Sequence, residues 1–110
     1  MQKTPTEMLQ GTVDLLVLRA LAWESMHGYA ISRWLEGRSA GVLQVDGAAL
    51  YQALHRLQRR GWVTSVWGVS ENNRRARFYR LTRTGTTHLH ASVAVWHNYA
   101  HAVAQVLAPQ

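Results

Sequence analysis

Arginine stands at positions 74, 75, 77 and 80, with Phe78 and Tyr79 between the last two, in the stretch SENNRRARFYRLT, residues 70–82. A guanidinium presents a rigid fork of N–H donors that matches phosphate oxygens, so such a cluster suits a phosphate-bearing partner. The charge is local: eight of the twelve Lys and Arg residues lie between Arg56 and Arg83 against one acid, Glu71. That stretch carries 8 − 1 = +7, and because the whole chain carries +6, the remainder is −1. A pI near 10.8 with this distribution points to nucleic acid or an anionic surface. One sign of charge interleaved with aromatics favours DNA contact over a merely solvated face.

A second set lies just upstream, in VDGAALYQALHRLQRRG, residues 45–61. Asp46 is a ready N-cap and Gly61 a helix stop, so the segment between them is predicted to be helical. At 100° per residue, Leu54 and Leu57 fall within about 40° of Leu50 and mark the buried stripe. The opposite side collects Ala48, Gln52, His55 and Arg59, with Tyr51 and Arg56 on its flanks. Small residues first, then an amide, a histidine and arginines, suit a helix that enters a groove and reads base edges.

Other chemistry is poorly supplied. There is no cysteine, which excludes disulfides, thiolate nucleophiles and cysteine-based zinc sites. No G-x-S-x-G, H-E-x-x-H or P-loop pattern occurs, and six acids leave few candidates for acid–base work, so no catalytic residue, cofactor or enzymatic activity is expected. His97 and His101 are spaced i, i+4, with His88 and His90 earlier, but that segment has no carboxylate or cysteine to complete a site, and no metal is expected. His27 is read as a helix-start residue.

The elements that must position these residues follow from periodicity. Thr12 to Trp23 reads as a helix apolar nearly all round, with one face for the core and a surplus face for a second subunit. Tyr29 to Arg38 is a short second helix, and residues 46–61 hold the third. WVTSVWGV (62–69) and RRARFYRLT (74–82) are β-branched and aromatic, joined by Ser70 to Asn73, and predict a hairpin. Alternation sets Tyr79 and Leu81 on one face with Arg75 and Arg77, and Arg74, Phe78 and Arg80 on the other. The Tyr79 side is assigned to the core. After TRTG, the residues Leu89, Val93, Trp96, Ala100, Val103 and Leu107 form a heptad seam on a last helix. Helix, helix, helix, hairpin is the order of a winged helix-turn-helix, an α+β, mainly α fold. The expected division is a DNA-binding domain over 9–82 and a C-terminal dimerisation helix over 83–108. Neither a secretory h-region nor a membrane-spanning run is found, so a soluble, cytoplasmic protein is expected. Trp23, Trp34, Trp62 and Trp67 are assigned to structure.

GTVDLLVLRAL, MHGYAI, LYQALHRLQRRGWV and WGVSENNRRARFYRLTRTG, in this order, resemble the PadR family of bacterial transcriptional regulators over roughly residues 9 to 107. The chain departs from the family at Gln52, which stands where proline is usual after the motif tyrosine and adds a polar group to the DNA face. The resemblance implies a homodimeric repressor whose last helix crosses onto its partner's first. It implies operator contacts from Tyr51, the outer face of the third helix (Ala48, Gln52, His55, Arg56, Arg59) and the wing arginines Arg74, Arg75 and Arg77. It also implies release by a small aromatic or drug-like effector beside a tryptophan, which points to Trp96 with Val93 and Leu89, and control of a transporter operon. The competing reading is a winged helix that binds RNA, or nucleic acid without sequence preference.

Overall fold

A computed structural model describes residues 5–110, with side chains from Thr12 onward. The elements are α1 (Pro5–Trp23), β1 (Met26–His27), α2 (Gly28–Arg38), α3 (Gly47–Arg59), β2 (Val63–Val69), β3 (Arg75–Leu81) and α4 (Arg83–Leu107). α1 starts at Pro5, seven residues before the start expected at Thr12; proline is well tolerated in a first helical turn, where its missing N–H would have no partner. The three strands form an antiparallel sheet in the order β1-β3-β2. β1 was not expected: two residues carry no periodicity, and Met26 and His27 pair with Tyr79 and Phe78 across the chain.

The helix-turn-helix core is built from the predicted stripe. Leu50, Leu54 and Leu57 of α3 are buried against Val13, Val17, Leu18 and Leu21 of α1, with Ile31 and Leu35 of α2 completing the cluster. Burying a leucine or isoleucine of this kind contributes roughly 1.5–3 kcal/mol, so these three helices form a stable platform without further staples. α3 has clean ends. Asp46 accepts a hydrogen bond from the Ala49 N–H at 2.9 Å, and Gly61 takes φ +77°, a left-handed conformation that ends the helix.

The wing is locked to this platform. Tyr79 is buried, as its strand alternation requires, and its carbonyl accepts a hydrogen bond from the Ser25 hydroxyl at 2.9 Å. At the far end the Thr82 hydroxyl caps α4 by accepting from the Gly85 N–H at 3.0 Å and donates to the Gly61 carbonyl at 2.7 Å. A Cβ on Gly85 would overlap the Trp62 carbonyl oxygen, so only glycine lets the first turn of α4 lie this close to the entry of β2. For that reason TRTG does not precede the helix: Thr82 is its cap and the next three residues are its first turn.

α4 divides in two. Leu89 is buried and Val93 packs on the core, but beyond them the helix leaves the body of the molecule, whose long dimension is 55 Å against 27 and 25 Å. No helix of the described residues is long and apolar enough to cross a membrane.

Candidate nucleic-acid interface

The outward face of α3 carries what its sequence promised. Ala48, Tyr51, Gln52, His55 and Arg59 are all exposed, and the last four rim a shallow depression along the helix. The face is set by the depth of the opposite stripe: with Leu50, Ala53, Leu54 and Leu57 buried, the intervening positions have nowhere to point but outward. Gln58 fixes the helix to the wing by donating to the Ser65 hydroxyl at 3.1 Å.

Arg56 has a partner within the protein. Its guanidinium turns back on α1, with Nη2 at 2.7 Å and Nε at 3.3 Å from the two oxygens of Asp14. Both side chains are about three-quarters buried, and the Asp14 hydrogen bond holds the Arg56 pKa above its ordinary value despite burial. Arg56 is thereby a strut between α1 and α3, and it also lines the depression that Tyr51, Gln52, His55 and Arg59 rim. Its flank position gave it two routes, and the carboxylate offers a bidentate partner within the protein.

The wing arginines have no such partner. Among the described residues none of Arg74, Arg75, Arg77 and Arg80 forms a salt bridge. Glu71, the one acid nearby in sequence, lies at the wing tip with its carboxylate 3.7 Å from His27 Nε2 on β1. His27 Nδ1 accepts the Ala30 N–H at 3.2 Å and caps α2, as a helix-start histidine should. Its Nε2 is buried and has no hydrogen-bond partner among the described residues. The turn itself is closed by Asn73 N–H to the Ser70 carbonyl at 2.9 Å, with Asn73 in the left-handed region at φ 59°.

Between the wing and the N-terminal ends of α2 and α3 lies a cleft of about 540 Å³, lined by Tyr29, Gly47, Tyr51, Trp67, Arg75 and Arg77 among others. Trp67, assigned to structure on the sequence, is 56% exposed here and lies beneath Arg75 and Arg77; Trp23 is likewise exposed. The strand register sets Trp67 directly across from Arg77. Burial pushes the buried Tyr79 phenol above its ordinary pKa, with Tyr51 adding to the shift and Arg77 opposing it.

A second cleft, of about 490 Å³, lies between α1 and α4 and is lined by Thr12, Leu15, Trp62, His88 and Trp96. Trp62 is stacked on His88 at 3.6 Å between ring centroids, with Arg60 over it at 5.2 Å. Of the three residues expected to line an effector site only Trp96 reaches this cleft. Leu89 is core and Val93 packs on the core, because the first half of α4 docks on α1. Past that point Val95, Tyr99, Val103, Val106 and Leu107 are exposed along with Trp96.

The transcriptional regulator PadR-like family model matches residues 17–91. A transcriptional regulator from Clostridium thermocellum superposes with a TM-score of 0.84 at 24% identity, covering 93% of this chain and 99% of its own. A PadR family transcriptional regulator from Eggerthella lenta does so at 0.78 with 28% identity, covering 94% and 88% respectively. An uncharacterised protein of Lysinibacillus sphaericus is 25% identical over 91 residues, which are 83% of this chain and 84% of that one.

Proposed function

Because the chain belongs to the PadR-like family of transcriptional regulators, we propose that it is a sequence-specific repressor that binds double-stranded operator DNA as a homodimer in the cytoplasm. The observation that carries this reading is the adjacency of two exposed surfaces: the outer face of α3 and the uncompensated arginines of the wing, which meet at the cleft beside Tyr51. α3 enters the major groove, where Gln52 and His55 meet base edges, with Ala48 leaving room for close approach. Arg59, Tyr51, Arg74, Arg75 and Arg77 lie along the phosphates and set register.

Dimerisation is supported by the apolar outer half of α4. A helix that exposes Val95, Trp96, Tyr99, Val103, Val106 and Leu107 is suited to packing on a second copy, where the heptad seam continues. The cleft beside Trp96 then adjoins the subunit interface and accepts a small aromatic effector that releases DNA. Control of a transporter operon rests on the family resemblance of the wing sequence alone.

Footprinting of the full chain on the region upstream of its own gene tests the proposal. The expected pattern is two protected half-sites about one helical turn, or ~34 Å, apart. Uniform weak protection with no preferred site would contradict it.

A further inference from the structure

Trp67 is the one large aromatic of the wing that its strand alternation points at the cleft and leaves open to it, and its surroundings are charged. It stands across from Arg77 in strand register, and Arg75 lies on the same face two pairs nearer the tip. The guanidinium carbons of Arg75 and Arg77 sit 4.5 and 5.4 Å from the Trp67 ring centroid, both within cation–π reach. With more than half of its surface exposed, the indole does little for the core. Among the described residues its ring meets these two cations.

That arrangement brings two like charges to one ring with no carboxylate on either among the described residues, since Glu71 faces His27. Held so close together, the pair gains most from an anion that bridges it. Arginines on an open hairpin would otherwise lose much rotamer freedom when fixed by a ligand. Resting on a rigid indole removes part of that freedom beforehand, the general route by which preorganisation raises affinity. Across the cleft stand the exposed Tyr51 and the start of α3, so an anion caught there is also placed against the groove-entering helix.

We propose that Trp67 is a positioning residue: it holds Arg75 and Arg77 as a preset pair that clamps one backbone phosphate of the DNA in the cleft between wing and α3. The proposal rests on the DNA-binding reading above, and its failure is distinguishable from the failure of that reading. The experiment is an anisotropy titration of the full chain with a labelled random duplex at matched salt, using wild type, Trp67→Leu, Trp67→Tyr, Arg75→Ala/Arg77→Ala, and that double variant with Trp67→Leu added. Trp67→Leu should weaken binding about 10-fold, the size expected when two arginine side chains must be ordered on binding instead of beforehand. The salt slope should not change, because every charge is retained. Trp67→Tyr should restore affinity to within about 2-fold of wild type, since a second π-face is present. Without the two arginines, Trp67→Leu should make no further difference. A loss of equal size in the arginine-free background, or no loss in the wild-type background, would overturn the positioning role. Failure of wild type to bind any duplex would remove the DNA-binding reading and this one with it.

Discussion

The wing hairpin and the outer half of α4 both extend past the core, and they leave opposite kinds of surface open. Among the described residues the wing exposes arginines that form no salt bridge, and the outer half of α4 exposes valine, tryptophan, tyrosine and leucine. Charge without a counter-charge calls for an anionic partner, and binding there is long-range, salt-sensitive and indifferent to sequence. Apolar surface calls for a shape-complementary partner of the same kind, and binding there resists salt. A third surface, the polar outer face of α3, is neither strongly charged nor apolar and is suited to reading bases. On the proposed function, a single small domain separates affinity, specificity and assembly onto three surfaces.

The separation can be broken one surface at a time. Placing two aspartates on the α4 seam, Val103→Asp with Leu107→Asp, should yield monomers in sedimentation and weaken operator binding ~10³-fold by removing the linked second half-site. Random duplex would be affected far less. In the wing, Arg75→Ala and Arg77→Ala should weaken operator and random DNA alike, each lowering the slope of log K against log salt by about 1. If the random duplex were unaffected, the wing would be reading bases. Gln52→Ala should cost about 1–3 kcal/mol of discrimination at one base pair while leaving random-sequence affinity in place. Unchanged ranking of operator variants would move readout elsewhere on α3.

The smallest effect should come from the arginine that is already paired. Asp14→Ala removes a bidentate partner that is part-exposed, so thermal or urea melts should show a loss of about 1 kcal/mol. Operator affinity should hold or rise slightly, because the change frees Arg56 to face the groove. A large loss of DNA binding in a variant that stays folded would show that the α1–α3 strut sets the angle of α3.

Much of this layout was legible in the residues. Asp46 and Gly61 delimit α3 and Tyr79 falls on the core face, both from local conformational preference and period-two alternation. The PadR resemblance read from four sequence blocks agrees with the family match over residues 17–91. Other features depend on contacts that no local pattern carries. Arg56 and Asp14 are 42 residues apart, so whether that arginine faces the groove or α1 is decided only when the helices pack. β1 is two residues held by pairing with β3, and Leu89 joins the core because α4 docks on α1. Trp67 has the residue type of a core position, yet lies at the end of a hairpin that outruns the core.

The central claim, that α3 adds sequence preference to a charge-driven contact made by the wing, is tested most directly by a salt titration of the full chain. Affinity would be measured on the upstream duplex and on a scrambled duplex of equal length. The expected result is two lines of log K against log salt, both steeply falling, with the upstream duplex at least ~10³-fold tighter at physiological salt. Coincident lines would leave a protein that binds DNA by charge alone, and would contradict the account.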